Sequence, residues 1–164
     1  MSAFHAHGVR YLIVGGYAVV FHAQPRFTRD IDLFIKADPV NARATYDALS
    51  EFGATLEGVR PEDFADRSSF FRFGRDPQDF DILPDIPGVE FDSAWERRVE
   101  ATLDPESGLR AFFVSRDDLM AAKLASGRTR DLADVEEIRA AAASQEPRPA
   151  KKGPGEARPK KPSE

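Results

Sequence analysis

Two carboxylates one residue apart, preceded by a pair of glycines, constrain this chain more than any other feature. An apolar run at residues 11–14 ends at Gly15 and Gly16, and Asp30 and Asp32 stand at the start of a second apolar run. Alternate residues of a strand share one face, so the two carboxylates are predicted to project to the same side, while the apolar residues beside them face the core. The sequence therefore predicts two strands, with paired acidic groups at the start of the second.

The types and spacing of these residues favour a nucleotide-binding site. Two carboxylates a pleat apart repel each other unless a cation lies between them, and Mg²⁺ is a common oxygen-liganded cation, often present as a pair of ions around a transferring phosphoryl group. A glycine pair between a strand and a helix lets backbone N–H groups approach a triphosphate, and the N-terminus of the helix favours its negative charge. We therefore expect Asp30 and Asp32 to hold Mg²⁺, and Gly15 and Gly16 to contact the phosphates.

A further acidic residue is predicted on a neighbouring strand. Residues 69–73 and 79–83 are predicted to be strands, and the turn-forming residues 74–77 between them indicate a hairpin. Asp79 and Asp81 share one face of the second of these strands. Either residue can therefore bring a third carboxylate beside the first pair.

These motifs resemble the nucleotidyltransferase superfamily, which has the DNA polymerase β-like fold. Gly15 and Gly16, followed by the segment Arg-Phe-Thr-Arg-Asp-Ile-Asp-Leu at residues 26–33, are most similar to the branch that contains the AbiE-type abortive-infection toxins and small uncharacterised bacterial relatives. The resemblance spans roughly Val9 to Ile138. It implies an α/β (α+β) fold with a small mixed, mainly antiparallel sheet, flanking helices and further helices at the C-terminal end.

The resemblance also implies roles for residues later in the chain. It places the third metal-binding carboxylate at Asp81, with Asp79 as the alternative. It also implies that Lys123 approaches the phosphates, on a helix that begins at the capping box of residues 115–118. On spacing alone, Lys123 is an ordinary solvated helix lysine. Arg29 is the other residue expected to stabilise charge on the leaving pyrophosphate.

The implied reaction is transfer of a nucleoside monophosphate from a nucleoside triphosphate to a hydroxyl group. Asp30, Asp32 and Asp81 would hold two Mg²⁺ ions, and Asp81 would also assist deprotonation of the acceptor. The acceptor is left open between an RNA or tRNA end, a protein hydroxyl and a small molecule. A toxin role follows by analogy with the branch. The alternative function is a non-catalytic nucleotide-binding or regulatory module of the same fold.

Composition limits the partners and the location. The 164 residues carry a formal charge of −5 and no cysteine, and the segment 144–164 holds six basic and three acidic residues among its prolines. We predict a minimal domain at residues 1–143 and a disordered Pro/Lys-rich tail at 144–164. The acidic body argues against a broad nucleic-acid groove. Without a long apolar run or a signal peptide, a cytoplasmic protein with no membrane segment is expected. The partners left open are a second copy of the chain and an antitoxin.

Overall fold

A computed structural model describes residues 1–75 and 78–145, which contain a six-stranded sheet flanked by helices. The strands are β1 (Tyr11–Val14), β2 (Ile31–Ile35), β3 (Phe71–Arg75), β4 (Gln78–Leu83), β5 (Val99–Asp104) and β6 (Leu109–Phe113). The helices are α1 (Ser2–Ala6), α2 (Gly15–His22), α3 (Pro39–Phe52), α4 (Phe91–Glu96), α5 (Arg116–Ser126) and α6 (Thr129–Gln145), and Pro61–Ala65 forms a 3-10 helix.

The sheet has the strand order β3-β4-β2-β1-β6-β5. The pairs β1–β2, β3–β4 and β5–β6 are antiparallel, whereas β2–β4 and β1–β6 are parallel. All four residues of β1 are buried, which is why this central strand is an uninterrupted apolar run. The predicted α/β fold with a mixed, mainly antiparallel sheet is confirmed.

One row of residues crosses four strands of the sheet. Val14 of β1 lies opposite Asp32 of β2, Asp32 lies beside Asp81 of β4, and Asp81 lies opposite Arg72 of β3. Residues in register on neighbouring strands point to the same face and are separated by about 5 Å. The register therefore places two carboxylates and a guanidinium from three segments of the chain on one line.

Side-chain caps and glycines fix the ends of the longer helices. The Asp38 side chain accepts a hydrogen bond from the Asn41 N–H at the start of α3, and the Ser115 hydroxyl accepts one from the Asp118 N–H at the start of α5, as the capping box predicts. Gly127 ends α5 in the left-handed conformation. Helix α5 then packs on α6, and α2 contacts β1, β2, α5 and α6. This packing gathers the ends of the central strands and three helices around one opening.

Three local features differ from the sequence-based expectation. Asp30 lies just before β2 and not within it. Strand β5 was not predicted, because each of its residues is exposed or half-buried and the strand has no apolar periodicity. Helix α1 was not predicted either. Residues 76–77 of the predicted hairpin turn and residues 146–164 of the predicted tail lie outside the described residues. No helix within the described ranges has the length and apolar character needed to cross a bilayer.

Candidate active site

The predicted site residues come together in one open cleft of about 450 Å³. Its walls are formed by the end of β1, the start of α2, the loop before β2, the carboxylate positions of β2 and β4, and the facing sides of α5 and α6. All seven residues assigned to the site from the sequence line this cleft: Gly15, Gly16, Arg29, Asp30, Asp32, Asp81 and Lys123. The fold thus brings three separate segments of the chain to a single place.

Asp32 packs against the turn that ends β1. Gly15 has a φ angle of +60°, and a Cβ atom added to it would lie 1.9 Å from the Asp32 Oδ2 atom, so only glycine leaves room for this carboxylate. The Gly16 N–H donates a hydrogen bond to Asp32. Burial, followed by the negative charges of Asp81 and Asp30, raises the pKa of Asp32 to about 6. A nearby cation would therefore stabilise the ionised form of Asp32.

Asp81 and Asp30 flank Asp32 at different depths. Asp81 is only 4% exposed and is in register with Asp32. Asp30 is half-buried, and its Oδ1 atom is shielded from solvent but has no hydrogen-bond donor among the described residues. Asp79 lies opposite Gly74, one pleat away, and does not line the cleft. The geometry therefore favours Asp81 over Asp79 as the third carboxylate.

The loop before β2 is anchored on both sides of an exposed aromatic residue. A Cβ atom on Gly16 would lie 2.2 Å from the Thr28 Oγ1 atom, so this hydroxyl packs directly on the glycine turn. The Arg26 Nη2 atom donates a 3.1 Å hydrogen bond to the Asp134 carboxylate of α6. Between these anchors, Phe27 is 86% exposed at the edge of the cleft. Thr28 was not predicted as a site residue, although its position in the motif preceding Asp30 was a usable signal.

Arg72 of β3 is a second site residue that the sequence-based prediction missed. Its Nε and Nη2 atoms each donate a 2.8 Å hydrogen bond to the Asp81 carboxylate, and Nη2 lies 3.5 Å from the Asp30 Oδ2 atom. The usable signal was a single arginine in the otherwise apolar stretch of residues 70–73. A charged residue there predicts an acidic partner on the strand that completes the hairpin.

Lys123 is buried and is already bound by two acidic residues of α6. Its Nζ atom donates hydrogen bonds of 2.8 Å to Asp131 Oδ1 and 2.7 Å to Asp134 Oδ2. Partial burial raises the pKa of Asp131, but hydrogen bonds from Lys123 and Ser126 outweigh this effect and hold that pKa below its ordinary value. The expectation of a solvated lysine is therefore wrong, and contact of Lys123 with a phosphate stays a prediction.

Replacing Lys123 with methionine is expected to lower the free energy of unfolding by about 3 kcal/mol, because it leaves buried carboxylates without their cation. The side chains of Lys123 and Asp134 are only 8% and 5% exposed. Arg26 still contacts Asp134 in this variant, so we expect a value near the lower end of the usual range. Urea unfolding followed by the fluorescence of Trp95, the single tryptophan, measures the change.

The matched control is Lys36→Met, which removes a lysine whose acidic partners, Asp38 and Asp92, lie at the surface. This control should leave the unfolding curve nearly unchanged. The double variant Lys123→Met/Asp134→Asn should recover part of the loss, because it also removes one of the stranded charges. A Lys123→Met protein as stable as the wild type would show that the buried network does not stabilise the α5–α6 pair.

The carboxylates have the donor chemistry of a Mg²⁺ site. Mg²⁺ prefers oxygen ligands such as these carboxylates. The Asp30 Oδ1 atom accepts no hydrogen bond from the described residues, and the Arg29 Nε atom lies 4.0 Å from it. Burial and the negative charges of Asp81 and Asp30 raise the pKa of Asp32, so a further cation would stabilise its ionised form. Within residues 1–75 and 78–145, no three acidic or histidine side chains converge in a geometry that holds a metal ion. The three carboxylates therefore have the chemistry of ligands for a divalent cation. In this structure Arg72 binds both oxygens of Asp81, so the carboxylates are arranged around the arginine.

The fold is similar to that of a solved nucleotidyltransferase. The lincomycin-bound crystal structure of the lincosamide antibiotic adenylyltransferase LnuA matches with a TM-score of 0.53 and 18% sequence identity, over 84% of this chain and 90% of that chain. At this identity the likeness concerns the fold alone.

The chain matches one family model over residues 3–143 and belongs to that family, which is described as "Nucleotidyltransferase of unknown function (DUF6036)". It is therefore a nucleotidyltransferase, an enzyme of the transferase class, and the resemblance noted from the motifs is confirmed at this level. No curated protein sequence matches the chain.

Proposed function

We propose that this protein uses Mg²⁺ to transfer a nucleoside monophosphate from a nucleoside triphosphate to a hydroxyl group of a small molecule. The observation that carries the proposal is one cleft in which Asp32 and Asp81 lie side by side, with Asp30 next to them. The turn at Gly15 and Gly16 borders the same carboxylates. A cleft with these two parts has the groups needed both to hold the triphosphate and to activate an acceptor.

The carboxylates would act on the cations and on the proton of the acceptor. Asp30, Asp32 and Asp81 would hold the Mg²⁺ ions, which supply charge neutralisation of the triphosphate and acidify the acceptor hydroxyl. The acceptor oxygen bonds to the α-phosphorus, and the bond from that phosphorus to the oxygen bridging to the β-phosphate breaks. The acceptor proton goes to Asp81, and pyrophosphate leaves.

The remaining residues of the cleft would position the phosphates. Gly15 and Gly16 lie at the start of α2, where the helix dipole favours negative charge. The Gly15 N–H would donate to a phosphate, while the Gly16 N–H is bound to Asp32 and would hold that carboxylate beside the triphosphate. Arg29 and Lys123 would stabilise charge on the leaving pyrophosphate. In this role Lys123 acts from a fixed position, because the carboxylates of α6 hold its ammonium group at the cleft wall.

A small acceptor is favoured over an RNA end or a protein. The net charge of −5 opposes a long polyanionic acceptor. The structural relative LnuA is an adenylyltransferase of a lincosamide antibiotic.

A toxin role, with an RNA or protein acceptor and an antitoxin partner or self-association, is the competing expectation. The proposal places the catalytic domain at residues 1–143 and leaves the tail at 144–164 outside it.

Thermal unfolding with each of the four ribonucleoside triphosphates, with and without Mg²⁺, tests the proposal. We expect at least one nucleotide to raise the melting temperature only when Mg²⁺ is present, because a ligand at a hundredfold excess over its Kd stabilises the native state by about 2.7 kcal/mol. Pyrophosphate release by the stabilising nucleotide is then measured with a panel of hydroxylated small molecules and with RNA. Release with RNA alone would contradict the small-acceptor proposal.

The non-catalytic alternative makes a different prediction in the same experiment. A pure nucleotide-binding module can also use the ion pairs seen in the cleft. These pairs join Arg72 to Asp81, and Lys123 to Asp131 and Asp134. Such a module would be stabilised by a nucleotide equally well without Mg²⁺ and would release no pyrophosphate with any acceptor. That pair of results would favour the regulatory function over transfer.

A further inference from the structure

Among the three carboxylates proposed to hold the cation, Asp81 is already bound by a positive side chain of the protein itself. Arg72 binds both oxygens of Asp81, through Nε to Oδ1 and through Nη2 to Oδ2, each at 2.8 Å. Its Nη2 atom also approaches Asp30 Oδ2 at 3.5 Å. Bidentate arginine–carboxylate pairs are among the stronger charge-assisted hydrogen bonds. In this state, neither oxygen of Asp81 is available to another cation without competition from Arg72.

The two members of this pair differ in their freedom to move. Asp81 lies on β4 between β2 and β3 and is buried, so its position is set by the sheet. The Arg72 side chain is 52% exposed and projects from β3, which is an edge strand of the sheet. A long, half-solvated side chain can change its contacts within the cleft without disturbing the core. Arg72 is therefore the member of the pair that can move.

We propose that Arg72 is a positioning residue that holds the place of the divalent cation in the free protein and is transferred to the phosphates when a nucleoside triphosphate binds. A triphosphate offers the guanidinium a second bidentate partner, which releases the Asp81 oxygens. The nucleotide and the divalent cation then favour the same state of Arg72, so each strengthens binding of the other by the same factor. This inference rests on the proposed function and adds an order to it, in which the cation binds weakly until the nucleotide is present.

A purely structural role for Arg72 predicts a different result. If Arg72 only kept Asp81 in its correct orientation, its loss would weaken the binding of both the cation and the nucleotide. If Arg72 competes with the cation and then binds the phosphates, its loss changes the two affinities in opposite directions. The sign of the change in cation affinity therefore separates the two roles.

The test compares the full chain with Arg72→Gln, which keeps a polar side chain with N–H donors at this position but removes its charge. Mn²⁺ serves as the probe for the cation, and the loss of the free Mn²⁺ signal in electron paramagnetic resonance gives its affinity without nucleotide. A fluorescent, non-transferable ATP analogue gives the nucleotide affinity at saturating Mg²⁺. We expect Arg72→Gln to bind Mn²⁺ about tenfold more tightly and the analogue about tenfold more weakly than the wild type.

The matched control is Arg67→Gln, which removes an arginine that pairs with Asp85 and Glu90 outside the cleft. It should leave both affinities unchanged. Arg72→Lys, which keeps the charge but loses the bidentate geometry, should give intermediate values, and it replaces the glutamine variant if that variant does not fold. Mn²⁺ binding to Arg72→Gln that is unchanged or weaker, with a normal wild-type response to the analogue, would overturn this inference alone. A wild type that binds neither the analogue nor Mn²⁺ would overturn the proposed function as well.

Discussion

Replacing Asp32 with asparagine is expected to abolish Mg²⁺-dependent nucleotide binding while making the free protein more stable above pH 6. The asparagine keeps the shape of the side chain and an acceptor for the Gly16 N–H, but it removes a charge that burial, Asp81 and Asp30 disfavour. Loss of a group that acts directly in the chemistry should lower transfer about a thousandfold or more. In the Asp32→Asn protein, nucleotide and Mg²⁺ together should no longer raise the melting temperature.

The pH dependence of stability follows from the raised pKa of Asp32. Its pKa is about 6 in the folded protein, above the unfolded value of 3.8, so the folded state holds this proton more tightly. Protonation of Asp32 therefore stabilises the folded protein by up to about 3 kcal/mol. This stabilisation is fully present below about pH 4 and is lost as the pH rises through 6. Asp32→Asn lacks this loss, so its advantage over the wild type should appear between pH 4 and 6 and stay constant above that range.

The control for this experiment is Asp79→Asn, which removes a carboxylate from the same face of β4 but outside the cleft lining. It should retain the nucleotide response. Urea unfolding of the three proteins at pH 5 and pH 7.5, together with the thermal shift with nucleotide and Mg²⁺, measures both effects. An Asp32→Asn protein that is less stable than the wild type at pH 7.5, or that still responds to nucleotide and Mg²⁺, would contradict the assignment of Asp32 as an electrostatically strained site residue.

Replacing Gly15 with alanine is expected to lower the free energy of unfolding by about 2–5 kcal/mol and to remove nucleotide binding. The φ angle of +60° alone costs a residue with a Cβ atom about 1–2 kcal/mol. The added Cβ atom would also lie 1.9 Å from Asp32 Oδ2 and 2.7 Å from its Cγ atom, and relieving such overlap adds about 1–3 kcal/mol. The simplest relief moves the Asp32 carboxylate out of the cleft, so the loss of function should persist even where the variant folds.

Gly108 provides the matched control for the backbone effect. Its φ angle is +68°, and a Cβ atom added there meets nothing within 4 Å. Gly108→Ala should therefore show the cost of the backbone conformation alone, about 1–2 kcal/mol, with normal nucleotide binding. Chemical unfolding and the nucleotide thermal shift compare the two variants. Equal losses of stability in both would show that contact with Asp32 is not what requires glycine at position 15.

The parts of the site that could be predicted were those encoded by local patterns. The apolar run of β1, its glycine turn and the alternating acidic residues at the start of the second apolar run are local patterns, so Gly15, Asp30 and Asp32 could be found without tertiary information. The helix that carries Lys123 was equally visible from its capping box at Ser115. The resemblance to a known superfamily then supplied the third carboxylate, Asp81.

The parts that could not be predicted depend on residues distant in the chain. The sequence pattern indicated that Lys123 lies on a helix, but its burial results from the packing of α5 on α6, which supplies Asp131 and Asp134 as partners. Strand β5 has no apolar periodicity, and it forms because β6 offers it a partner for hydrogen bonding. In both cases the energy that fixes the element comes from a contact made only in the folded chain.

The sequence by itself determined the class of fold and the chemical groups of the site, because strand alternation and a glycine turn act over a few residues. Only the tertiary structure decided which charges face one another. Strand order and register put Asp81 beside Asp32, which lies about 50 residues earlier in the chain. The β3–β4 hairpin then brings Arg72 opposite the same carboxylate. Charge interactions depend on distance and burial and not on separation along the chain, so the raised pKa of Asp32 and the clamp on Asp81 arise only when the sheet has formed.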